Sequence, residues 1–120
     1  DGHASYISSW LMSAKTNNKI LIATRELLYT YWHEHDFLVD YFLFHHFMYM
    51  ACEEYPEEYN KVVKFSNSIP HILSLGLFQQ YDEEKYQALV DMTCFHKLSY
   101  KLNEDNIKRK GTYYSILINQ

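Results

Sequence analysis

The sequence predicts an all-α fold, a compact bundle of five to seven helices with no sheet larger than a small hairpin. Three observations carry that expectation. Apolar residues recur at spacings of three and four along most of the chain. Helix-start signals stand at Asp36, Pro56 and Asp82. Only three Gly and two Pro occur in 120 residues, too few for the many turns of a β-sandwich.

Each element follows from its own pattern. Tyr6, Ile7, Trp10, Leu11 and Ala14 predict a short helix over residues 5–16. Asn17-Asn18 interrupts it and can cap the next. Ile20, Leu21, Thr24, Leu27, Leu28, Tyr31 and Trp32 form one apolar stripe from about 19 to 33, ended by His33-Glu34-His35. Asp36 is expected to cap a third helix reaching Glu54, apolar on nearly every side and therefore central to the core, with Phe42 and Phe47 buried. Asp40, His45 and His46 interrupt it, and it falls short of the ~20 residues that a membrane span needs, so no transmembrane segment is expected.

Pro56 with Glu57 and Glu58 starts a fourth helix that should end near Phe65, since Pro suits the first position and acids suit the positive end of the dipole. Ser66-Asn67-Ser68 is a loop. Pro70 opens a short helix that fades near Gly76, and Asp82 caps one carrying Tyr86, Leu89, Val90, Thr93 and Cys94. Residues 95–102 read as irregular and 103–111 as a polar connection, and Thr112 can cap a last helix over 113–119. No repeat, low-complexity tract or dividing linker is visible, so residues 1–120 read as a single helical domain. No basic segment followed by an apolar stretch opens the sequence, so no signal peptide is expected within it.

Charge narrows the function classes. The formal net charge is −4, which argues against general nucleic-acid binding. The balance is uneven: residues 1–96 hold six Lys/Arg and thirteen Asp/Glu, whereas residues 97–120 hold five Lys/Arg and two acids. Cys52 and Cys94 have no Cys or His partner at metal spacing, and both sit in apolar helical patterns, so two buried free thiols are expected.

Seven histidines invite a metal reading that helical geometry weakens. His33 and His35 are two apart, and His45 and His46 are adjacent, whereas ligand pairs on a helix need spacings of three or four. Glu34-His35-Asp36 has the acid-x-acid form of a cation site, but a helix corner explains it equally. No metal site is therefore expected within the segment. Asp40 has two readings: an acid at the positive end of a helix, or a carboxylate lining a polar cleft, where it could hold sugar hydroxyls or act as a base. It cannot share a straight helix face with His45. His96, Lys97 and Lys101 place three donors within six residues outside any regular helix, either a solvated basic loop or an anion site.

Several strings, in order, resemble one family: Ser9-Trp10-Leu11-Met12-Ser13-Ala14-Lys15, Arg25-Glu26-Leu27-Leu28-Tyr29-Thr30-Tyr31-Trp32, Asp40-Tyr41-Phe42-Leu43-Phe44-His45-His46, His96-Lys97-Leu98-Ser99-Tyr100-Lys101 and Gly111-Thr112-Tyr113-Tyr114. They resemble the C-terminal half of bacterial capsular polysaccharide synthesis proteins, within nucleotide-sugar glycosyltransferases that carry an Asp-x-Asp motif. The resemblance implies a larger α/β enzyme whose N-terminal domain holds that motif, a Mn²⁺ or Mg²⁺ ion and the nucleotide-sugar donor. No Asp-x-Asp occurs in these 120 residues. It further implies that His96 and Lys97, with Lys101, contact the donor diphosphate, and that Asp40 with His45 or His46 lines the saccharide acceptor cleft. The implied location is cytoplasmic, peripheral to the inner face of the membrane. The competing class is a helical binding or oligomerisation module without chemistry, including a homo-oligomer.

Overall fold

A computed structural model describes residues 7–119, and among them the chain is helical without strands. The helices are α1 (Lys19–Glu34), α2 (Leu43–Glu54), α3 (Pro56–Asn60), α4 (Ile72–Leu75), α5 (Glu83–Met92), α6 (Glu104–Ile107) and α7 (Tyr113–Leu117), with a 3₁₀ turn at Ile69–His71 before α4. The all-α expectation holds. The residues gather into two compact units, one ending at Lys64 and the other beginning at Phe65.

In the first unit, α1 packs on α2 and α3. Asn18 caps α1 as its position suggests, its side chain accepting from the Leu21 amide at 3.1 Å. The stripe of α1 buries Ile20 and Thr24; Thr24 is 1% exposed, and its hydroxyl is satisfied by donating to the Ile20 carbonyl at 2.8 Å. Ile20, Ala51 and Cys52 form the core, with Ile7, Ala23, Met48, Tyr55 and Tyr59 packed against it. Burial pushes the Cys52 thiol pKa up, because the thiolate would lose its hydration there.

Four expectations need correction in this unit and at its end. Residues 7–16 are bends and irregular backbone, not a helix, and residues 5 and 6 lie outside the described residues. α2 begins at Leu43 rather than after Asp36. The reason lies in the preceding helix: the Tyr31 hydroxyl donates to the Phe37 carbonyl at 2.6 Å and accepts from the Val39 amide at 3.1 Å. Those bonds hold the connection in a non-helical path. Phe42 is consequently 48% exposed and not core, while Phe47 is half-buried with its ring 6.1 Å from that of Tyr31. α3 starts at Pro56 as expected but stops at Asn60, five residues before Phe65; Glu58 in its first turn pairs with Lys61, the residue that caps its end, at 2.9 Å.

The second unit is organised around its C-terminus. Leu73, Leu77 and Tyr113 form the core, with Phe78, Tyr81, Tyr86, Leu89, Leu102, Tyr114 and Leu117 around it. The chain before α7 pairs with the segment after α4: Tyr81 N–H donates to the Gly111 carbonyl (2.8 Å), Tyr113 N–H to Gln79 (3.2 Å) and Tyr114 N–H to Leu77 (2.8 Å). Gly111 has φ +74°, a left-handed conformation that strains any residue with a Cβ, so the backbone there calls for glycine.

Caps in this unit follow sequence chemistry. Asp82 accepts from the Lys85 amide at 3.0 Å, and Thr112 forms a capping box with Ser115. The helix α6 falls inside the expected polar connection, where the Asn103 side chain accepts from the amides of Asp105 and Asn106. Tyr81 donates its hydroxyl to Glu83 at 2.6 Å, which pushes its pKa up to about 12. The stability this bond contributes is complete below the ordinary tyrosine value near 10 and is lost as pH rises through about 12. Cys94 is exposed, contrary to expectation, because α5 ends at Met92 and leaves it in irregular chain; both cysteines are free.

Two measurements check this arrangement. On α4, Leu73 is buried and Leu75 is 86% exposed. Leu73→Ala should cost about 2–5 kcal/mol in denaturant unfolding, and Leu75→Ala should stay within about 0.5 kcal/mol. In native protein, a thiol reagent should label Cys94 rapidly and Cys52 only on unfolding, because Cys52 is both buried and harder to ionise.

Candidate functional site

The residues singled out by sequence fall into two groups, Asp40, His45 and His46 in the first unit and His96, Lys97 and Lys101 in the second.

Asp40 precedes α2 rather than lying within it. One carboxylate oxygen accepts from the Phe42 amide at 2.6 Å, and the Asp40 carbonyl accepts from the Leu43 amide at 3.1 Å, so Asp40 starts α2 where Phe42 has no capping side chain. Its other oxygen, Oδ2, lies 3.6 Å from His46 Nε2, with both side chains about half exposed. That gap exceeds a direct hydrogen bond and is an ion-pair contact when the imidazole is protonated. The fold therefore joins Asp40 to His46, a pairing the sequence reading did not make.

His45, on the adjoining face, has its ring 5.4 Å from Phe42 and 5.5 Å from Phe44, both edge-on. Its Nδ1 is buried without a hydrogen-bond partner among the described residues. That burial favours the tautomer whose proton sits on Nε2, since an N–H at Nδ1 would be left unsatisfied.

His96 and Lys97 lie in irregular chain between α5 and α6. The Lys97 amide donates to the Pro70 carbonyl at 2.8 Å, fixing the segment to the turn that leads into α4. Both ring nitrogens of His96 are buried and lack a hydrogen-bond partner among the described residues. One of the two carries a proton in either neutral tautomer, so a buried donor is left unsatisfied, a condition that costs about 1–3 kcal/mol and is uncommon in native proteins. Lys97 is half-buried, and Lys101 is exposed with its ammonium 5.7 Å from the Tyr100 ring centroid.

Shallow clefts of the first unit are lined by Lys15, Asn17, Asn18, Leu21, Ile22 and Arg25, and by Lys19 with residues 54–58; neither includes Asp40, His45 or His46. Among the described residues no group of three or more His, Cys, Asp or Glu is placed to hold a metal ion, and no helix is long and apolar enough to cross a membrane. The sequence reading missed Tyr31, whose hydroxyl shapes the chain before α2. Its only signal was a Tyr near a helix end followed by an apolar run that does not continue the helix.

No curated protein and no solved structure matches the chain. A family model described as capsular polysaccharide synthesis protein matches residues 1–117, nearly the whole length. The chain therefore belongs to the capsular polysaccharide synthesis protein family and has a role in capsule synthesis.

Proposed function

We propose that this chain is the C-terminal part of a nucleotide-sugar-dependent glycosyltransferase, in which His96 and Lys97 contact the donor diphosphate. The observation that carries the reading is the orphaned imidazole of His96 beside a backbone-anchored lysine. A buried ring donor without a protein partner suits a group whose partner is a ligand oxygen. Its nitrogens are closed from solvent, so contact with a donor couples to displacement of whatever covers them.

Sugar transfer bonds an acceptor hydroxyl oxygen to the anomeric carbon as the bond from that carbon to the diphosphate breaks, giving a glycoside, a nucleoside diphosphate and the hydroxyl's proton. Negative charge builds on the bridging oxygen as the bond to the anomeric carbon breaks. Lys97 would offset that charge as a compact ammonium, and His96 would donate a hydrogen bond to a diphosphate oxygen. Lys101, exposed on the same stretch, would add longer-range attraction. Asp40, His45 and His46 would line the acceptor cleft. The divalent ion belongs, on this reading, to a preceding nucleotide-sugar domain with its Asp-x-Asp motif.

Charge-assisted contacts of this type contribute ~1.5–3 kcal/mol. Where they strengthen in the transition state, at about 1.4 kcal/mol per decade, Lys97→Ala should lower kcat roughly ten- to a hundredfold. The assay is nucleotide-sugar turnover by the full-length gene product containing this chain, with folding followed by thermal melt. Unchanged kinetics in a folded variant would remove the diphosphate assignment.

A further inference from the structure

We infer that the outer face of α1 is a two-fold interface, on which a second copy of this chain lays its own α1 in the antiparallel sense. No residue named above for sugar transfer takes part, so this surface stands or falls apart from the transferase reading.

The helix α1 has two faces. Ile20 and Thr24 are buried on one, and Tyr31 on the same side meets Phe47 of α2. At about 100° per residue, Ile22, Arg25, Glu26 and Tyr29 fall on the opposite side, with Trp32 at its flank. Ile22 is 38% exposed, Trp32 48% and Tyr29 65%. This face carries both a projection and a recess. Tyr29 stands out from it, with the Arg25 guanidinium 5.9 Å from its ring centroid. About two turns earlier, a cleft of about 190 Å³ opens between the incoming chain at Lys15 and Asn17 and the helix at Leu21, Ile22 and Arg25.

Charge selects the occupant and its sense. Along α1 and the turns that flank it, Lys15, Lys19 and Arg25 come first, and Glu26, Glu34 and Asp36 follow. The sign changes between Arg25 and Glu26. A two-fold axis at that point turns the second helix end for end and brings the cationic end of each copy to the acidic end of the other. The same axis sets Tyr29 of each copy against Ile22 of the other, so each projecting ring meets the other's cleft. One patch thus serves both sides, as an isologous interface requires. Arg25 and Glu26 are bonded within one chain at 2.7 Å. Across the axis the two pairs adjoin with alternating sign, so closing the interface leaves neither charge without a partner. A parallel pair would instead set cationic end on cationic end and acidic end on acidic end.

Analytical ultracentrifugation of the full-length protein across a micromolar concentration series tests this without any need for catalysis. Wild type should pass from monomer to dimer. Tyr29→Ser removes the projection, and the exposure of Tyr29 lets the fold survive, as a thermal melt will verify. It should raise the dimer Kd about tenfold or more, as loss of a buried aromatic anchor does. Disulfide trapping reads the sense of the pair, in a Cys94→Ser background that removes the exposed native thiol. Copies carrying Ile22→Cys, mixed with copies carrying Tyr29→Cys, should cross-link on oxidation. Either variant alone should not, because like positions then lie about two turns apart, beyond the reach of a disulfide. A monomer at every concentration, an unchanged Kd in folded Tyr29→Ser, or cross-linking of like copies in place of unlike ones would overturn the interface.

Discussion

The hydrogen bond from the Lys97 amide to the Pro70 carbonyl ties the candidate anion segment to the rest of its unit. Residues 93–102 have no helix of their own to position them. Pro70 is itself buried and leads directly into α4, whose Leu73 reaches the core shared with Leu77 and Tyr113. Tyr113 is placed by the chain around Gly111, where a left-handed residue lets the backbone pair with residues 77–81. The position of Lys97 thus depends on a glycine fourteen residues later, through packing rather than direct contact.

In the first unit a different device shapes the surface. α1 and α2 pack through a small core of Ile20, Ala51 and Cys52, and the chain between them is held by polar bonds from Tyr31 and Asp40. An apolar run expected to extend α2 by two turns is instead displayed. The exposure of Phe37, Leu38, Val39, Tyr41 and Phe42 is therefore built by specific hydrogen bonds. Asp40 serves the helix start with one oxygen and faces His46 with the other.

Much of this was legible in sequence where the signal is local. Asn18, Pro56, Asp82 and Thr112 stand at helix starts because cap chemistry involves atoms within three residues. The start of α2 was not legible, since Asp36 and Asp40 both precede apolar residues and only the distant Tyr31 hydroxyl selects between them. Thermodynamic burial of Phe42 failed for the same reason. The helix over 5–16 looked periodic, yet amphipathic spacing alone does not secure a short helix without tertiary packing. At the site, the string His96-Lys97 marked a basic segment, but the closed, partnerless ring of His96 is a property of packing that no spacing encodes.

The proposed role of His96 and Lys97 is to meet a diphosphate. Calorimetric titration of the full-length protein with uridine and guanosine diphosphates tests it most directly, comparing wild type with His96→Phe, which keeps an aromatic ring but removes both nitrogens. At least one nucleoside diphosphate should bind wild type, and His96→Phe should weaken that binding about tenfold or more, in line with loss of a charge-assisted hydrogen bond. Equal affinity in a variant that melts like wild type, or no binding of either nucleotide by wild type, would contradict it.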